Sequence, residues 1–534
     1  MHPILSCKES LDFETQYFQS SGFSEYAAME KAGIAAGNQI LCDYKEITNQ
    51  ASSLHCLVLI GKGHNGGDAL LSMAQIVEVY KTFHSKVENE SFHKKITFDL
   101  ISTHSSEQLR KNTQRALQFL LSKLKPEKYY FYEGSSKPDL IDFENKKYQI
   151  CLDGILGMQF KSPLSGFTKD LILFLNNHIS IQFKASIDLP SGVSDQWDKN
   201  ASIADFTYAT GIYKKPLINR NLQDKVGRVR YLDLDFFSKS QPKTNLKILT
   251  KEILLPLQKM RPALTEKRQF GKLALLGGSF EMPGAIAMAC HSALQSGSGL
   301  IQAFTVPQHI PNLAIEYPEI MWMSCPVNTK GWISGDPDPI LESMDSFAEV
   351  SVVGPGMGRH PETLEFLKYL LPRLKGTLIL DADALIHSIL ETRLDQVWKA
   401  ENVIITPHHG EFKRLFQRDL KTQSLDSQFL EYCRQRKLLG VLKGPQTRIT
   451  NGKELLINPT GGPVLSRGGS GDILSGLMGS TIAQLQDLPI LENVARAVFW
   501  HGLSADLTAQ RQGQVAIRTT SFIEHFSEAL RIST

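Results

Sequence analysis

Short apolar runs recur along the whole chain, each closed by glycine or an acid and followed by polar or helix-spaced residues. This alternation constrains the fold more than any other feature. Strand, turn and helix in repetition give a parallel sheet covered by helices. In the first half the strand-like runs are LHCLVLIG (54–61), ITFDLIS (96–102), YQICLDGIL (148–156) and ISIQFKASIDLP (179–190). The segment 106–124 carries apolar side chains at 109, 116, 117, 120, 121 and 124, which is helical spacing. The polar stretch 82–95 predicts a loop. In the second half the runs are KLALLGGS (272–279), LIQAFTV (300–306), FAEVSVVGPGMG (347–358), GTLILDADAL (376–385), NVIITPHHGEF (402–412) and LLGVLKGP (438–445), with a helix expected over about 284–296. A chain of 534 residues is too long for one ordinary core. The polar stretch 233–252, which holds Pro242, puts a boundary near 240. The expectation is an α/β protein of two three-layer domains, residues 1–238 and 245–534.

Composition excludes several classes. The chain is 42% apolar and 21% charged, ordinary for a globular protein. A net charge of +3 and the lack of a dense Lys/Arg stripe argue against a nucleic-acid partner. The start, MHPILSCKESLDFETQYF, has no long apolar stretch and reads as no signal peptide. No run approaches the ~18 apolar residues of a membrane span. Seven scattered cysteines without a CxxC pair read as reduced thiols of a cytoplasmic protein.

Three strand ends in the first half carry an acid beside glycines. LIGKGHNGGDALL packs Gly61, Gly63, Gly66 and Gly67 around His64 and Asn65, and ends in Asp68. Bare backbone can approach a ligand without a Cβ, and its N–H groups favour anions. The stretch is not a P-loop, because no Gly-Lys-Ser/Thr follows. It is not read as a GxGxxG phosphate loop either: Gly61 and Gly63 fit the first two positions, but Gly66 is followed by Gly67 and Asp68, an acidic end that repels phosphate. Asp68 could instead cap the following helix. CLDGILG places Asp153 at the second strand end, and ASIDLPSG places Asp188 and Ser191 at the third. Ligands of open parallel sheets sit at the carboxyl ends of strands, so the three ends point to one site. Asn65, Asp153 and Ser191 offer oxygens suited to a hard cation. Lys161, just beyond GILGMQF, is a candidate proton donor or phosphate contact.

Taken in this order, NGGD, LDGILG and IDLPSG resemble the amino-terminal domain of the NAD(P)H-hydrate epimerases over about residues 10–235. That resemblance implies a Rossmann-like α/β/α sandwich. It implies potassium on Asn65, Asp153 and Ser191. It implies substrate contacts from His64, Asn65, Gly66, Gly67 and Asp68, from Gly157, Met158, Gln159, Phe160, Lys161, Ser162 and Pro163, and from Asp188. Lys161 and Asp188 would be the acid/base pair. His64 stands where the family usually has Asn, and Ala69 where Gly is common.

In the second half, RGGSGDILSG (467–476) is the strongest signal. Three glycines precede Asp472, and an apolar helix-like run follows. A glycine turn at a helix N-terminus stabilises negative charge, and an acid there can act as base toward a hydroxyl. Phosphoryl transfer to an alcohol needs both. A glycine turn with a capping acid is the plainer alternative. LKGPQTRI brings Lys443 and Thr447 toward a second phosphate loop. The tandem His408 and His409 lack a third ligand at zinc-like spacing. One of them is expected to contact substrate, with Glu411 starting a helix.

GGSFEMPGA, GPGMG, DADAL, TPHHGEF, LKGPQT and GGSGDILSG together resemble the NAD(P)H-hydrate dehydratases over about 250–530, which implies a ribokinase-like α/β/α fold. Ala285, Gly356, His408 and Asp472 would then bind the hydrated dinucleotide. Lys443, Gly444, Pro445, Gln446, Thr447 and Gly471 would bind the adenine nucleotide. His409 replaces the proline usual in TPHPGE. The implied function is repair of hydrated NADH and NADPH: the first domain epimerises R and S forms, and the second dehydrates the S form with ADP or ATP as phosphoryl donor, with magnesium. The resemblance also suggests a homo-oligomer. Two readings compete. One is a ribokinase-superfamily kinase of a vitamin precursor with a regulatory first domain. In the other, the first domain is a binding or scaffold module.

Overall fold

In the computed structural model the chain forms two compact units, His2–Thr244 and Asn245–Thr534 with Met1. Residues 1–48, 53–84, 95–125, 128–134, 140–417 and 424–532 are described. The strands of the first unit are β1 (His2–Leu5), β2 (Ser53–Ile60), β3 (Lys95–Ser102), β4 (Tyr129–Tyr132), β5 (Ile150–Gly154), β6 (Lys184–Ile187), β7 (Phe206–Thr210), β8 (Tyr213–Lys214) and β9 (Arg228–Leu232). Seven of them form a parallel sheet in the order β4-β3-β2-β5-β6-β7-β9. β1 pairs in parallel with β8.

The near-continuous apolar character of β2 follows from this topology. Leu54, Cys56, Val58 and Ile60 enter one core, while Leu57 and Leu59 enter another on the opposite face. A strand with helices on both sides has no solvent face to fill with polar residues. Each such leucine or valine stabilises the fold by roughly 1.5–3 kcal/mol. Four helices matter for the site: α1 (Cys7–Ser21), α2 (Glu25–Tyr44), α3 (His64–His84) and α4 (Lys111–Ser122). α1 opens with a capping box between Ser6 and Glu9. α3 reaches His84, so the expected loop 82–95 begins as helix and ends in β3, and 85–94 lies outside the described residues. The expected helix 106–124 is split: a 3-10 turn, Ser106–Gln108, precedes α4, and extended Leu109 separates them.

In the second unit the strands are β10 (Leu246–Ile248), β11 (Lys272–Leu276), β12 (Leu300–Thr305), β13 (Met321–Ser324), β14 (Val350–Val353), β15 (Thr377–Leu380), β16 (Asn402–Ile405), β17 (Leu439–Leu442), β18 (Arg448–Thr450) and β19 (Leu455–Ile457). Their order is β13-β12-β11-β14-β15-β16-β17-β18-β19-β10. The run from β13 to β17 is parallel, and β18 is antiparallel to both neighbours. Leu273 and Leu275 of β11 face one core, and Ala274 and Leu276 face the other. Both units are thus α/β, each built on a largely parallel sheet between helical layers.

Chain order reverses between β2 and β5 in the first sheet, and between β11 and β14 in the second. Such switch points open a crevice at the carboxyl ends of the strands. All seven cysteines are free, and only Cys42 is not fully buried. Among the described residues, no helix is long and apolar enough to cross a membrane.

Candidate functional sites

The first site lies at the β2/β5 switch point. A cavity of about 660 Å³ is lined by His64, Asn65 and Asp68, by Gly157, Met158, Gln159 and Phe160, and by Asp188. The glycines divide two tasks. Gly61 makes the turn out of β2, where an added Cβ would stand 1.7 Å from the Ile155 carbonyl oxygen. Gly66 and Gly67 are already inside the first turn of α3 and do not line the cavity. Their lack of side chains lets the helix press against Gly61 and Met29, whose atoms stand 2.4 and 2.5 Å from the added Cβ positions. Asp68 is not a cap. It is the fifth residue of α3, and it lines the cavity. Burial, then the nearby Asp188 and Glu14, push its carboxyl well above the usual range.

Asp153, Ser191 and Asn65 converge below this floor. Asp153 accepts from the Ser191 hydroxyl at 2.5 Å, the Ser191 amide at 2.9 Å and the Ser202 hydroxyl at 2.5 Å. Asn65 donates from Nδ2 to the Leu156 carbonyl at 2.8 Å, while its Oδ1 is buried without a hydrogen-bond partner. An orphaned amide oxygen beside a hydroxyl, a carboxylate and a carbonyl is an all-oxygen donor set, which fits a hard cation.

Asp188 follows β6 with φ 63°, a left-handed conformation that Asp tolerates better than most residues. Its Oδ1 accepts from Lys214 Nζ at 2.5 Å and from Thr210 at 3.2 Å. Lys214 is fully buried. Burial lowers its ammonium's proton affinity, but Asp188 and then Glu14 outweigh that and leave its pKa raised. The partner of Asp188 is therefore Lys214 of β8, a residue the motifs did not flag. Its only local signal is a lysine closing the apolar stretch ATGIY. Lys161 lies elsewhere. Phe160 is tied through its carbonyl to Ser194 at 2.8 Å and Leu164 through its amide to Asp198 at 3.0 Å, which leaves Lys161, Ser162 and Pro163 exposed outside the cavity lining. Lys62 and Arg110 add positive charge to the cavity wall.

The second site gathers at the carboxyl ends of β11 and β14–β17. Gly469, at φ 90°, turns the chain into the helix Ser470–Gln484, and Asp472 lies in that helix's first turn. Burial, then Asp381, push the Asp472 carboxyl up to about 7, with Lys443 opposing. Lys443 donates to Asp381 at 2.8 Å, and Thr406 donates to the same oxygen at 2.7 Å. A Cβ on Gly471 would stand 3.1 Å from the Lys443 ammonium. The Lys443 ammonium is thus bonded to Asp381 and stands beside both Asp472 and Gly471.

The remaining residues assemble around this centre. Asp383 accepts from the Gly358 amide at 2.9 Å, which ties GPGMG to DADAL. Gly356, at φ 65°, packs on Ala285, 2.7 Å from an added Cβ. His408 caps the helix His409–Phe416: its Nδ1 accepts from the amides of Gly410 and Glu411, and Glu411 closes a capping box. His409 packs on Gly444, 3.1 Å from an added Cβ. The loop Gly444–Thr447 is held from below by Arg448, fully buried, which donates to the Pro445 and Gln446 carbonyls at 2.8 and 2.6 Å. Buried His501 lies outside the motifs, and Arg448 in LKGPQTRI and Asp381 at the start of DADAL are given no role by them. Burial, then Lys443, hold His501 neutral with a pKa lowered to about 4, and it bonds to the Ser470 backbone.

The raised Asp472 carboxyl has a consequence for stability. A group whose folded pKa exceeds its unfolded value stabilises fully below the unfolded value and loses that contribution as pH rises through the folded one. For Asp472 the window runs from the ordinary carboxyl value of 3.8 to about 7. Asp472→Asn is therefore expected to be more stable than the parent at pH 8, by on the order of 2 kcal/mol, with the difference shrinking as pH falls toward 4. Denaturant melts at both pH values check this, and equal midpoints at pH 8 would contradict it.

Comparison with known proteins agrees with this division. A family model described as NAD(P)H-hydrate dehydratase matches residues 273–527, and one described as YjeF-related protein N-terminus matches residues 25–215. A bifunctional NAD(P)H-hydrate repair enzyme of Moorella thermoacetica is 28% identical, over 94% of this chain and 92% of that protein. One of Thermosynechococcus vestitus is 29% identical, over 95% and 93%. Among solved structures, the ADP/ATP-dependent NAD(P)H-hydrate dehydratase of Bacillus subtilis is 25% identical with a TM-score of 0.47, covering 55% of this chain and 100% of that one. The chain belongs to the family of bifunctional NAD(P)H-hydrate repair enzymes.

Proposed function

We propose that this chain repairs hydrated NADH and NADPH in two steps, epimerisation in the first unit and nucleotide-dependent dehydration in the second. The observation that carries the reading is the pairing, in one chain, of the Asp188–Lys214 cavity with the Asp472 turn. The hydrate bears a hydroxyl on C6, next to the ring nitrogen. Loss and return of that hydroxyl, or opening and closing of the ring, exchanges the two configurations. Asp188 is suited to take or return the proton, and buried Lys214 holds its carboxylate in place. Potassium, if held by Asn65, Asp153 and Ser191, supplies fixed positive charge near the ligand. Lys62 and Arg110 suit the phosphates of the dinucleotide.

In the second unit Asp472 takes the proton of the C6 hydroxyl as its oxygen attacks the terminal phosphorus of ADP or ATP. The amides of the Gly468–Gly471 turn favour the transferring phosphoryl group. Release of phosphate with loss of the C5 proton restores the ring double bond. Among the described residues, no cluster of three or more His, Cys, Asp or Glu side chains is arranged to hold a metal ion. Magnesium therefore suits this site on nucleotide phosphates rather than in a protein cage. A homo-oligomer in the cytoplasm completes the reading.

Product analysis tests it. With S-hydrate and ADP, the reading expects one inorganic phosphate and one AMP for each dihydronicotinamide formed. Accumulation of a stable phosphorylated acceptor would make the second unit a small-molecule kinase instead.

A further inference from the structure

Four carboxyl groups, Glu14, Glu25, Asp68 and Asp188, line the first cavity together with Lys62, Arg110 and the buried ammonium of Lys214. Lys214 is bonded to Asp188 and Glu25 lies 3.5 Å from the His64 ring, which leaves Glu14 and Asp68 without an ion pair among the described residues. Glu14 comes from α1, outside every motif that marks the site. α1 is fixed over the cavity by more than its cap: the amides of Cys7 and Lys8 donate to Asp195 at 2.8 and 3.0 Å. The Glu14 side chain makes no hydrogen bond or ion pair among the described residues, yet it lines the cavity.

We propose that Glu14 contacts the ligand in this cavity and donates a hydrogen bond to an acceptor oxygen of the hydrated nicotinamide, across from the Asp188–Lys214 pair. The inference rests on the epimerase reading. Its physical basis is charge. A dinucleotide is anionic, and an ionised, unpartnered Glu14 beside Asp68 and Asp188 would repel it at this end of the cavity, away from any cation of its own. Burial pushes the Glu14 carboxyl up to about 7, with Lys214 opposing and Asp188 and Glu25 adding to the rise. The groups facing Glu14 are Asp68 on α3, Asp188 after β6, Lys214 on β8 and Glu25 at the start of α2. Below about 7 Glu14 is mostly a neutral donor. Above that it becomes a further negative charge and can no longer donate.

The test measures R-to-S conversion by chromatography, without nucleotide, from pH 6 to 8.5, in the full chain and in Glu14→Gln and Glu14→Ala. The dehydratase rate on S-hydrate serves as the fold control. In the parent, KM is expected to rise about tenfold across this range, the loss of one hydrogen bond. Glu14→Gln, a neutral donor at every pH, is expected to flatten that rise. Glu14→Ala is expected to raise KM about tenfold already at pH 6, with a smaller change in kcat. An active parent whose KM profile is shared by Glu14→Gln, or a Glu14→Ala KM within twofold of the parent at pH 6, overturns the role of Glu14 alone. A parent that does not epimerise at any pH overturns the epimerase reading and this role with it.

Discussion

Asp472→Ala is expected to lower nucleotide-dependent dehydration of S-hydrate by roughly 10³-fold, within the 10²–10⁴ range of a positioned general base. The argument combines position and protonation. Asp472 sits in the first turn of a helix, one residue past Gly471, beside the Lys443–Asp381 pair. Its carboxyl titrates near 7, raised by burial and Asp381. A base must be ionised to act, so kcat/KM of the parent is expected to climb as pH rises through about 7 and level off above it. Asp472→Asn keeps the shape and loses the base, so it should be as inactive as the alanine variant while remaining folded. A rate in either variant within tenfold of the parent would remove Asp472 from the chemistry.

Asp188→Asn is expected to reduce epimerisation by a similar factor, roughly 10²–10⁴-fold, and to leave dehydration of pure S-hydrate intact. This substitution also leaves the buried Lys214 ammonium without its carboxylate. Breaking a buried pair costs about 3–5 kcal/mol, so the variant should melt earlier than the parent. Lys214→Met should also weaken epimerisation, because the carboxylate loses the group that holds it. Lys161→Met should change the rate little, since Lys161 is exposed and outside the cavity lining. A large loss in Lys161→Met with a normal rate in Lys214→Met would reverse this assignment.

The contrast between these lysines shows what could be read from the sequence. Strand ends are local: an apolar run that stops at glycine and an acid signals a turn at the edge of a sheet, so Asp153 and Asp188 were legible, and Asp472 was legible from the glycine turn that opens its helix. The parallel α/β class was legible for the same reason, because two-sided burial leaves runs such as LHCLVLIG without alternation. Residues that reach the site from distant elements carry no such mark. Lys214 arrives from a two-residue strand and Glu14 from α1. Lys161 is near Gly157 in sequence, but the chain between Phe160 and Leu164 faces outward. Gly66 and Gly67 read as loop because glycine is a poor helix former. Their place inside α3 follows from close packing against Gly61 and Met29, which only the tertiary structure shows.

The most direct measurement of the central claim follows absorbance near 340 nm, where the dihydronicotinamide absorbs and its hydrate does not. The full chain is mixed with an R/S mixture of NADPH hydrate, potassium, magnesium, and ADP or ATP in separate cuvettes. The account predicts recovery to full conversion with at least one nucleotide, because the first unit feeds R-hydrate to the second. Recovery that stops at about half would leave a working dehydratase and contradict the role assigned to Asp188 and its cavity. No recovery with either nucleotide would contradict the repair function as a whole.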